Sequence, residues 1–376
     1  MSIIKDFSQR KSHPGEDGNP FDTALHWIEK IDKIPDPIYI AVFFLIALIP
    51  NYGNQLHTFI LFTIFLIDWL LLIFLFRKGK SYGPSKPPAL ILAVLRMLVA
   101  FFPYGISYTL QFIGIGFVIF GFWYEPHKIE ISFQKLHSSK LRNSKPLRIL
   151  HLADLHLERI TEREKLLNKL IGELKPDLIL FSGDFLNLSY NADPVAIAGA
   201  RDIIQHWEAP LGTFLVSGSP AVDFPETVYK ITDGLPVQFL DTESIMISFG
   251  ESKLDLIGIG CTHRPSVDKQ KLDQFCNNDD RFKILLYHSP DLAPIAVEYG
   301  FDLQLSGHTH GGQVRLPAYG ALFTGSLYGK RFEAGRYEIG EMTLYVSRGI
   351  GMEGAGAPRV RFLCPPEIIL WEISSE

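Results

Sequence analysis

The sequence has 376 residues, 47% of them hydrophobic, and a formal net charge of −5 at pH 7. This charge gives no support to a nucleic-acid partner, and three cysteines without CxxC spacing argue against a disulfide framework and a structural zinc site. The length allows more than one domain, and because the apolar excess lies almost wholly before residue 125, we expect a membrane region followed by a soluble domain.

The N-terminal segment, residues 1–36, contains a predicted amphipathic helix. Asn19 is a favourable N-cap and Pro20 suits the first helical position. The apolar residues that follow share one helical face: Phe21, Leu25, Ile28 and Ile31. This pattern predicts a helix that lies on a membrane surface, with packing against the soluble domain as the alternative.

Residues 37–124 form the predicted transmembrane region. Its apolar segments are residues 38–50, 57–76, 88–102 and 106–124. A span needs roughly 20 apolar residues, so the first segment is short and could be re-entrant, which leaves three spans as the alternative to four. Basic residues concentrate in the loop 77–87 and in the linker 125–145, and basic loops stay in the cytoplasm. We therefore expect a multi-pass protein of the cytoplasmic membrane whose soluble domain lies on the cytoplasmic side.

Two charged residues interrupt these apolar segments. Asp68 lies eight residues before residue 76, and Arg96 lies eight residues after residue 88. In antiparallel neighbouring helices these offsets place both side chains at one depth. An isolated charge inside a bilayer is costly, so we predict an ion pair between Asp68 and Arg96.

From about residue 146 to residue 376, short apolar runs alternate with helical stretches. Thr161 and Glu164 form a capping box that opens a predicted helix extending to about residue 174. The candidate strands are LRILHLA, DLILFSG, GTFLVSG, LDLIGIG, FKILLYH and DLQLSGH. This alternation predicts an α/β domain in which helices cover a sheet.

Polar residues cluster just after these candidate strands, where α/β folds hold their ligands. The residues are Asp154, His156, Asp184, His288, His308 and His310. Carboxylates and neutral imidazoles together suit borderline divalent ions, and a carboxylate can bridge two of them. Residues i and i+2 of an extended chain project to one side, so D-x-H and H-x-H spacing fits strand ends. The sequence therefore predicts a metal site there.

Five motifs resemble those of the calcineurin-like metallophosphoesterases, and more closely their bacterial membrane-linked branch: ILHLADLHL, LFSGDFLN, ILLYHSPD, GHTHGGQVRLP and the closing VSRGIGMEGAGAPRVRFLCPPEI. The resemblance covers roughly residues 146–374. It implies a two-sheet sandwich flanked by helices and two divalent ions of the Mn, Fe, Zn or Mg class, which stabilise an in-line displacement at phosphorus. By this likeness the first ion is held by Asp154, His156, Asp184 and His310. Asp184 bridges to the second ion, which also binds His288 and His308.

The third family motif, Gly-Asn-His-Asp or Glu, is replaced here by Gly218-Ser219-Pro220-Ala221. A serine hydroxyl is a weak metal ligand, and proline has no side-chain donor. Two substitutes are possible. Ser219 itself or Asp223 could supply a replacement oxygen ligand, or His263 and Arg264 could bind phosphate or protonate the leaving group. Ordinary surface charge is the alternative interpretation of His263 and Arg264.

These observations predict a membrane-anchored, metal-dependent phosphoesterase that cleaves a phosphodiester or pyrophosphate at the cytoplasmic membrane face. The predicted partners are the lipid bilayer and an amphipathic phosphoester. Among the substrates that the resemblance implies, UDP-2,3-diacylglucosamine is the leading candidate, and a soluble phosphodiester is the alternative. Because the third motif is altered, the other interpretations are slow one-metal hydrolysis and a catalytically impaired, membrane-tethered module that binds metal or a phospho-ligand. The oligomeric state is left open.

Overall fold

The structure is a computed structural model that describes residues 20–275 and 280–375. Asn19, the predicted cap of the first helix, and Cys276 lie outside the described residues. Within these ranges the helices are α1 (Pro20–Glu29), α2 (Asp36–Leu48), α3 (Gln55–Arg77), α4 (Lys86–Val99), α5 (Tyr104–Val118), α6 (Glu162–Leu174), α7 (Pro194–Ile204), α8 (Pro225–Thr232), α9 (Pro265–Leu272) and α10 (Ala293–Ala296). The strands of the first large sheet are β1 (Glu130–His137), β2 (Leu147–Leu152), β3 (Leu178–Phe181), β4 (Thr213–Leu215), β5 (Gln238–Phe239) and β14 (Glu367–Ser374). Those of the second are β6 (Glu243–Phe249), β7 (Ser252–Ile259), β8 (Phe282–Tyr287), β9 (Leu303–Ser306), β12 (Gly335–Ile339) and β13 (Met342–Val346), and β10 (Arg315–Leu316) pairs with β11 (Gly320–Ala321).

The soluble part is a sandwich of two mixed six-stranded sheets, in the orders β1-β14-β2-β3-β4-β5 and β12-β13-β9-β8-β7-β6. Apolar side chains from both sheets form one fully buried core between them, including Ile149, Leu180, Leu256, Ile284, Leu305 and Trp371. Helices α6, α7 and α8 cover the outer face of the first sheet, and α9 and α10 cover that of the second. The predicted α/β architecture is therefore confirmed.

Helix α6 follows its sequence signals closely. The Thr161 hydroxyl accepts a hydrogen bond at the helix start, and the Glu164 carboxylate accepts one from the Thr161 backbone N–H at 2.7 Å. The predicted capping box is confirmed, and Leu167 and Ile171 are buried beneath the helix as its apolar pattern requires.

The structure does not support four membrane spans. Two described helices are long and apolar enough to cross a bilayer, namely α3 with 23 residues and the continuous helical stretch 104–127 with 24. Helices α2 and α4 contain 13 and 14 residues, or about 20 Å at 1.5 Å per residue, whereas a bilayer core is about 30 Å thick. The predicted apolar segments 38–50 and 88–102 agree with α2 and α4 to within three residues, so four spans are not supported because these segments are themselves too short.

The predicted pair between Asp68 and Arg96 is confirmed. Both side chains are buried, and the guanidinium binds the carboxylate through two nitrogens, with a separation of 2.9 Å between Arg96 Nη2 and Asp68 Oδ1. Arg96 Nη1 also donates to the backbone oxygen of Gln111 at 2.8 Å and to its side-chain oxygen at 3.0 Å. The pair therefore joins three helices, α3, α4 and α5.

Helix α1 packs on the soluble domain. Leu25 is buried against Leu188, Val222 and Ala357, and its backbone oxygen accepts a hydrogen bond from Gly356 N at 3.0 Å. A side chain at Gly356 would approach that oxygen to 2.6 Å, so the two backbones meet at a distance that only glycine permits. The amphipathic helix therefore packs against the soluble domain, which was the alternative to the membrane-surface position predicted from the sequence.

Candidate metal centre

The predicted ligands converge because they follow neighbouring strands that end at one edge of the sandwich. Asp154 and His156 follow β2, Asp184 follows β3, and His288 follows β8. His308 and His310 follow β9, which pairs in parallel with β8. The structure therefore brings together all six residues that the sequence analysis singled out, because each belongs to at least one of three overlapping sets of ligand atoms no more than 4.8 Å apart. They form two groups, which share Asp184.

The first group contains Asp154, His156, Asp184 and His310. His156 Nε2 lies 3.3 Å from Asp184 Oδ2 and 3.0 Å from His310 Nε2. Asp154 Oδ1 accepts a hydrogen bond from the His308 backbone at 2.9 Å, while its Oδ2 is buried and makes no hydrogen bond within the described part of the chain. A buried carboxylate oxygen without a donor is costly, and a cation beside it would remove that cost.

The second group surrounds Ser219. The Ser219 hydroxyl lies 3.1 Å from His288 Nε2, 3.0 Å from His263 Nε2 and 3.3 Å from Asp184 Oδ2. His288 Nδ1 donates to the carbonyl of Ser182 at 2.9 Å, which turns Nε2 towards the cluster. His308 completes the group, its ring centroid 5.1 Å from that of His288 and 4.3 Å from that of His263.

The backbone around these ligands adopts conformations that side chains rarely tolerate. Six of the residues at the centre have a positive φ: Asp154, His156, Asp184, His263, His308 and His310. Such positions are typically strained and cluster at functional sites. Close packing requires glycine beside them, since a side chain at Gly307 would approach Asp154 Oδ2 to 2.4 Å and one at Gly218 would approach Asp184 Oδ1 to 2.1 Å.

Electrostatics in the buried site depend on Asp184. Burial opposes protonation of His156 and His288, but the adjacent Asp184 carboxylate outweighs it and raises the pKa of each imidazole to about 9. Burial and the positive charge of His156 hold the pKa of His310 well below its ordinary value, so His310 is neutral. Without a cation, protons on two histidines therefore offset the carboxylates, and a divalent ion would take their place.

The donor set fits divalent ions. Carboxylate oxygens and imidazole nitrogens are the ligands of Zn²⁺, Fe²⁺ and Mn²⁺ sites, and the buried Asp154 Oδ2 and the neutral His310 can each supply a lone pair to a cation. Both groups share Asp184, whose carboxylate can bridge two ions.

The substitutes expected for the altered third motif lie in different surroundings. The Asp223 carboxylate is buried and accepts hydrogen bonds from three backbone amides, those of Asp184, Phe185 and Gly218, at 2.7–2.9 Å. His263 is buried inside the second group, whereas its neighbour Arg264 is exposed at the start of α9. The Ser219 hydroxyl lies at the centre of the second group.

Arg361 was not selected in the sequence analysis, although it lies in the segment RVRFLCPP near the end of the domain. It is fully buried, and its Nη1 donates to the carbonyl of His310 at 3.1 Å. Its backbone N–H donates to the carbonyl of Gly121 at 3.0 Å, within the helical stretch 104–127. Its place in the closing family motif was the available signal, but its contact with His310 depends on the tertiary fold.

A pocket of about 310 Å³ opens onto the centre. Its polar lining includes Asp184, Ser219, His308 and His310. Its apolar lining includes residues from α1, from α4 and from the soluble domain: Leu25, Ile28, Ile91, Leu188, Val222 and Phe323. The pocket therefore joins the candidate metal ligands to an apolar wall supplied in part by the N-terminal helical region.

Comparison with known proteins agrees with this geometry. Residues 147–312 match the family model described as calcineurin-like phosphoesterase. The chain is similar to the metallophosphoesterase YkuE of Bacillus subtilis, with 33% identity over 261 residues that cover 67% of this chain and 87% of that protein. It is also similar to the phosphodiesterase YaeI of Escherichia coli, 26% identical over 67% of this chain and 88% of that one. A third relative, the UDP-2,3-diacylglucosamine pyrophosphatase LpxG of Chlamydia muridarum, is 26% identical over 60% of this chain and 82% of its own length.

Proposed function

This chain belongs to the calcineurin-like phosphoesterase family of metal-dependent phosphoric ester hydrolases, and from that premise we propose that it cleaves a phosphodiester or pyrophosphate bond in an amphipathic substrate at a membrane surface. The observation that carries the proposal is the pocket, whose lining combines metal-ligand side chains with apolar side chains from α1 and α4. A phosphoester with an acyl chain matches both kinds of lining.

The residues divide into those that hold ions and those that hold substrate. Two divalent ions bound by Asp154, His156, Asp184, His288, His308 and His310 would supply an activated water and stabilise the charge that develops on the phosphoryl oxygens. The carboxylate of Asp184 faces both groups of ligands, so its position sets their separation. Leu25 and Ile28 on α1 and Ile91 on α4 would contact the apolar part of the substrate.

Membrane anchoring is the second part of the proposal. Helix α3 and the helical stretch 104–127 have the length and composition of membrane-spanning helices, and their outward faces carry large exposed apolar side chains such as Phe59, Phe76 and Phe112. Tyr82 in the basic loop 77–87 donates its backbone N–H to Glu158 at 3.0 Å, so the loop lies beside the soluble domain, and its basic residues favour a cytoplasmic position for both. A substrate embedded in the inner leaflet would then meet the pocket between α1 and α4. UDP-2,3-diacylglucosamine, the compound named for LpxG, is the first candidate to test.

The test compares two substrates on the full chain purified in detergent with Mn²⁺. Bis-p-nitrophenyl phosphate reports hydrolysis alone, and UDP-2,3-diacylglucosamine reports hydrolysis of an acylated pyrophosphate. Asp184→Asn should abolish both reactions. Ile28→Asp should raise the KM for the acylated substrate about tenfold, the effect of losing one aliphatic contact, and leave the soluble substrate unaffected.

Val195→Asp is the matched control, because Val195 is an exposed apolar helical residue outside the pocket. It should change neither reaction. A wild-type protein that binds metal but hydrolyses neither substrate would support the impaired binding module instead. An Ile28→Asp variant that loses activity equally on both substrates would remove the argument for an amphipathic substrate.

A further inference from the structure

We propose that His263 is a ligand of the second metal ion, in place of the asparagine that the third family motif normally supplies. The inference rests on the proposed function, because it concerns the same metal centre. It assigns a different role to His263 from those expected from the sequence, which were phosphate binding and protonation of the leaving group.

The first step is that the strand end carrying Ser219 cannot supply the missing ligand by itself. Serine is shorter than asparagine, and its neutral hydroxyl is a weak ligand. Pro220 follows directly and offers no side-chain donor or acceptor. Asp223, the other candidate on this loop, already accepts three backbone hydrogen bonds that stabilise the loop after β3. If the Asp223 carboxylate moved to bind the ion, those buried amides would lose their hydrogen-bond acceptor.

The second step is that His263 occupies the space that the shorter serine leaves. His263 Nε2 lies 3.0 Å from Ser219 Oγ, and this oxygen lies 3.1 Å from His288 Nε2. Ligand nitrogens of His263, His288 and His308 lie within 4.8 Å of one another. With the Asp184 carboxylate 3.3 Å from His288 Nε2, these residues offer three nitrogens and one oxygen around a common centre.

The third step is that the loop after β7 is built to hold His263 inward. The side chain is 3% exposed, and its backbone has φ of 56°, a conformation shared with His308, His310 and Asp154. The buried carboxylate of Asp268 accepts hydrogen bonds from Thr262 N at 2.9 Å, from its hydroxyl at 3.0 Å and from the Tyr287 hydroxyl at 2.6 Å. The residue next to His263 is therefore fixed to β8, the strand that presents His288.

A consequence concerns the class of ion. Replacing an amide oxygen by an imidazole gives the second site three nitrogen ligands, whereas the first site has two imidazoles and two carboxylates. Imidazole favours Zn²⁺ and Fe²⁺, and oxygen ligands favour Mg²⁺ and Mn²⁺. The second site should thus bind Zn²⁺ well and Mg²⁺ poorly.

The experiment measures metal content and affinity, so it is independent of turnover. The full chain in detergent is stripped of metal and titrated with Zn²⁺, and bound zinc is measured by mass spectrometry. Wild type should bind two ions per chain. Replacing residues that only position a ligand typically costs about 10–100-fold in affinity, so loss of a ligand should cost at least that. His263→Ala and the larger, non-ligating His263→Leu should therefore retain one tight ion and bind the second at least about 10–100-fold more weakly.

Two further variants make the result decisive. His206→Ala removes an exposed histidine far from these strand ends in sequence and should keep both ions. His308→Ala, at an expected ligand of the same ion, should lose the second ion as His263→Ala does. Two tightly bound ions in a folded His263→Leu protein, or a single tight ion in wild type, would overturn the inference. Neither result would affect the proposed hydrolysis, which fails separately if Asp184→Asn keeps full activity.

Discussion

Asp223 acts on the metal centre through the backbone. Its carboxylate accepts the amides of Asp184, Phe185 and Gly218, so one side chain joins the loop after β3 to the loop after β4. Burial and the charge of Asp184 raise the pKa of Asp223 to about 7, although the three amide hydrogen bonds oppose this rise. Two carboxylates near each other in a buried site are tolerated here because amides stabilise one and cations would stabilise the other.

Replacing Asp223 should therefore change stability more than ion number. Asp223→Asn keeps one oxygen acceptor but turns an N–H group towards the amides, and we expect it to destabilise the fold by about 1–3 kcal/mol. Asp223→Ala should cost more. Thermal unfolding and metal analysis, carried out in parallel, would measure both effects. The control is Asp233→Asn at an exposed position, which should change the free energy of unfolding by less than about 0.5 kcal/mol. Loss of one ion from Asp223→Ala without loss of stability would identify Asp223 as a ligand after all.

The residues of the site could be predicted where a polar side chain directly follows an apolar strand in the sequence. Asp154, Asp184 and His288 each stand within three residues of an apolar run, and parallel strands bring such residues to one edge. The position of His263 could not be predicted with the same sharpness. It depends on β7 pairing in parallel with β8 and on the second sheet facing the first across the core. These are long-range arrangements that local periodicity does not contain.

Among the secondary-structure elements, the helices before residue 128 form a unit held by a polar network inside an apolar cluster. The aromatic rings of Tyr39, Phe43, Phe65 and Trp69 pack against one another, and Arg96 binds both Asp68 and Gln111. Hydropathy and depth were sufficient to predict the pair between Asp68 and Arg96. The apolar segments 38–50 and 88–102 also matched α2 and α4 to within three residues, but the prediction of four spans gave too little weight to their short length.

Charge reversal tests this network. Asp68→Arg or Arg96→Asp alone leaves two like charges buried together, and breaking a buried pair costs about 3–5 kcal/mol. The double reversal should recover most of that loss, but not the bonds from Arg96 to Gln111. Thermal unfolding in detergent would measure the three variants. The exposed pair of Glu162 and Lys165 is the control, since its reversal should change stability by less than about 1 kcal/mol. A double variant no more stable than the single variants would contradict a direct energetic coupling.

At the scale of the whole molecule, the metal centre lies where the two sheets and the N-terminal helices meet. Bound ions should therefore stabilise the entire sandwich, since they join strand ends of both sheets and bind only the folded state. Ions require neutral imidazoles, while His156 and His288 have pKa values raised to about 9 in the ion-free protein. Protons therefore compete with metal at neutral pH.

Metal binding should strengthen as the pH rises. As the pH rises from 6 towards 9, these histidines lose their protons and metal affinity increases, so the melting temperature of Zn²⁺-loaded protein should exceed that of chelator-treated protein by a growing margin. The shift should level off above about pH 9. Asp184→Asn should show little dependence of melting temperature on metal at any pH. A shift that is the same at pH 6 and pH 8.5 would contradict displacement of protons by the ion.

The hydrogen bond between Arg361 and Gly121 limits how freely the helical stretch 104–127 could be exchanged for another helix. Gly121 lies in a helix long and apolar enough to span a bilayer, and its carbonyl accepts the backbone N–H of Arg361. The guanidinium of Arg361 in turn donates to the carbonyl of His310. An unrelated helix in its place would have to offer a backbone carbonyl to Arg361 at the position of Gly121. It would also need a residue as small as glycine there, because a side chain would approach Val360 to 3.1 Å. The helical stretch 104–127 and the metal centre are therefore expected to depend on each other structurally, and a change in the position of this helix would alter the surroundings of His310.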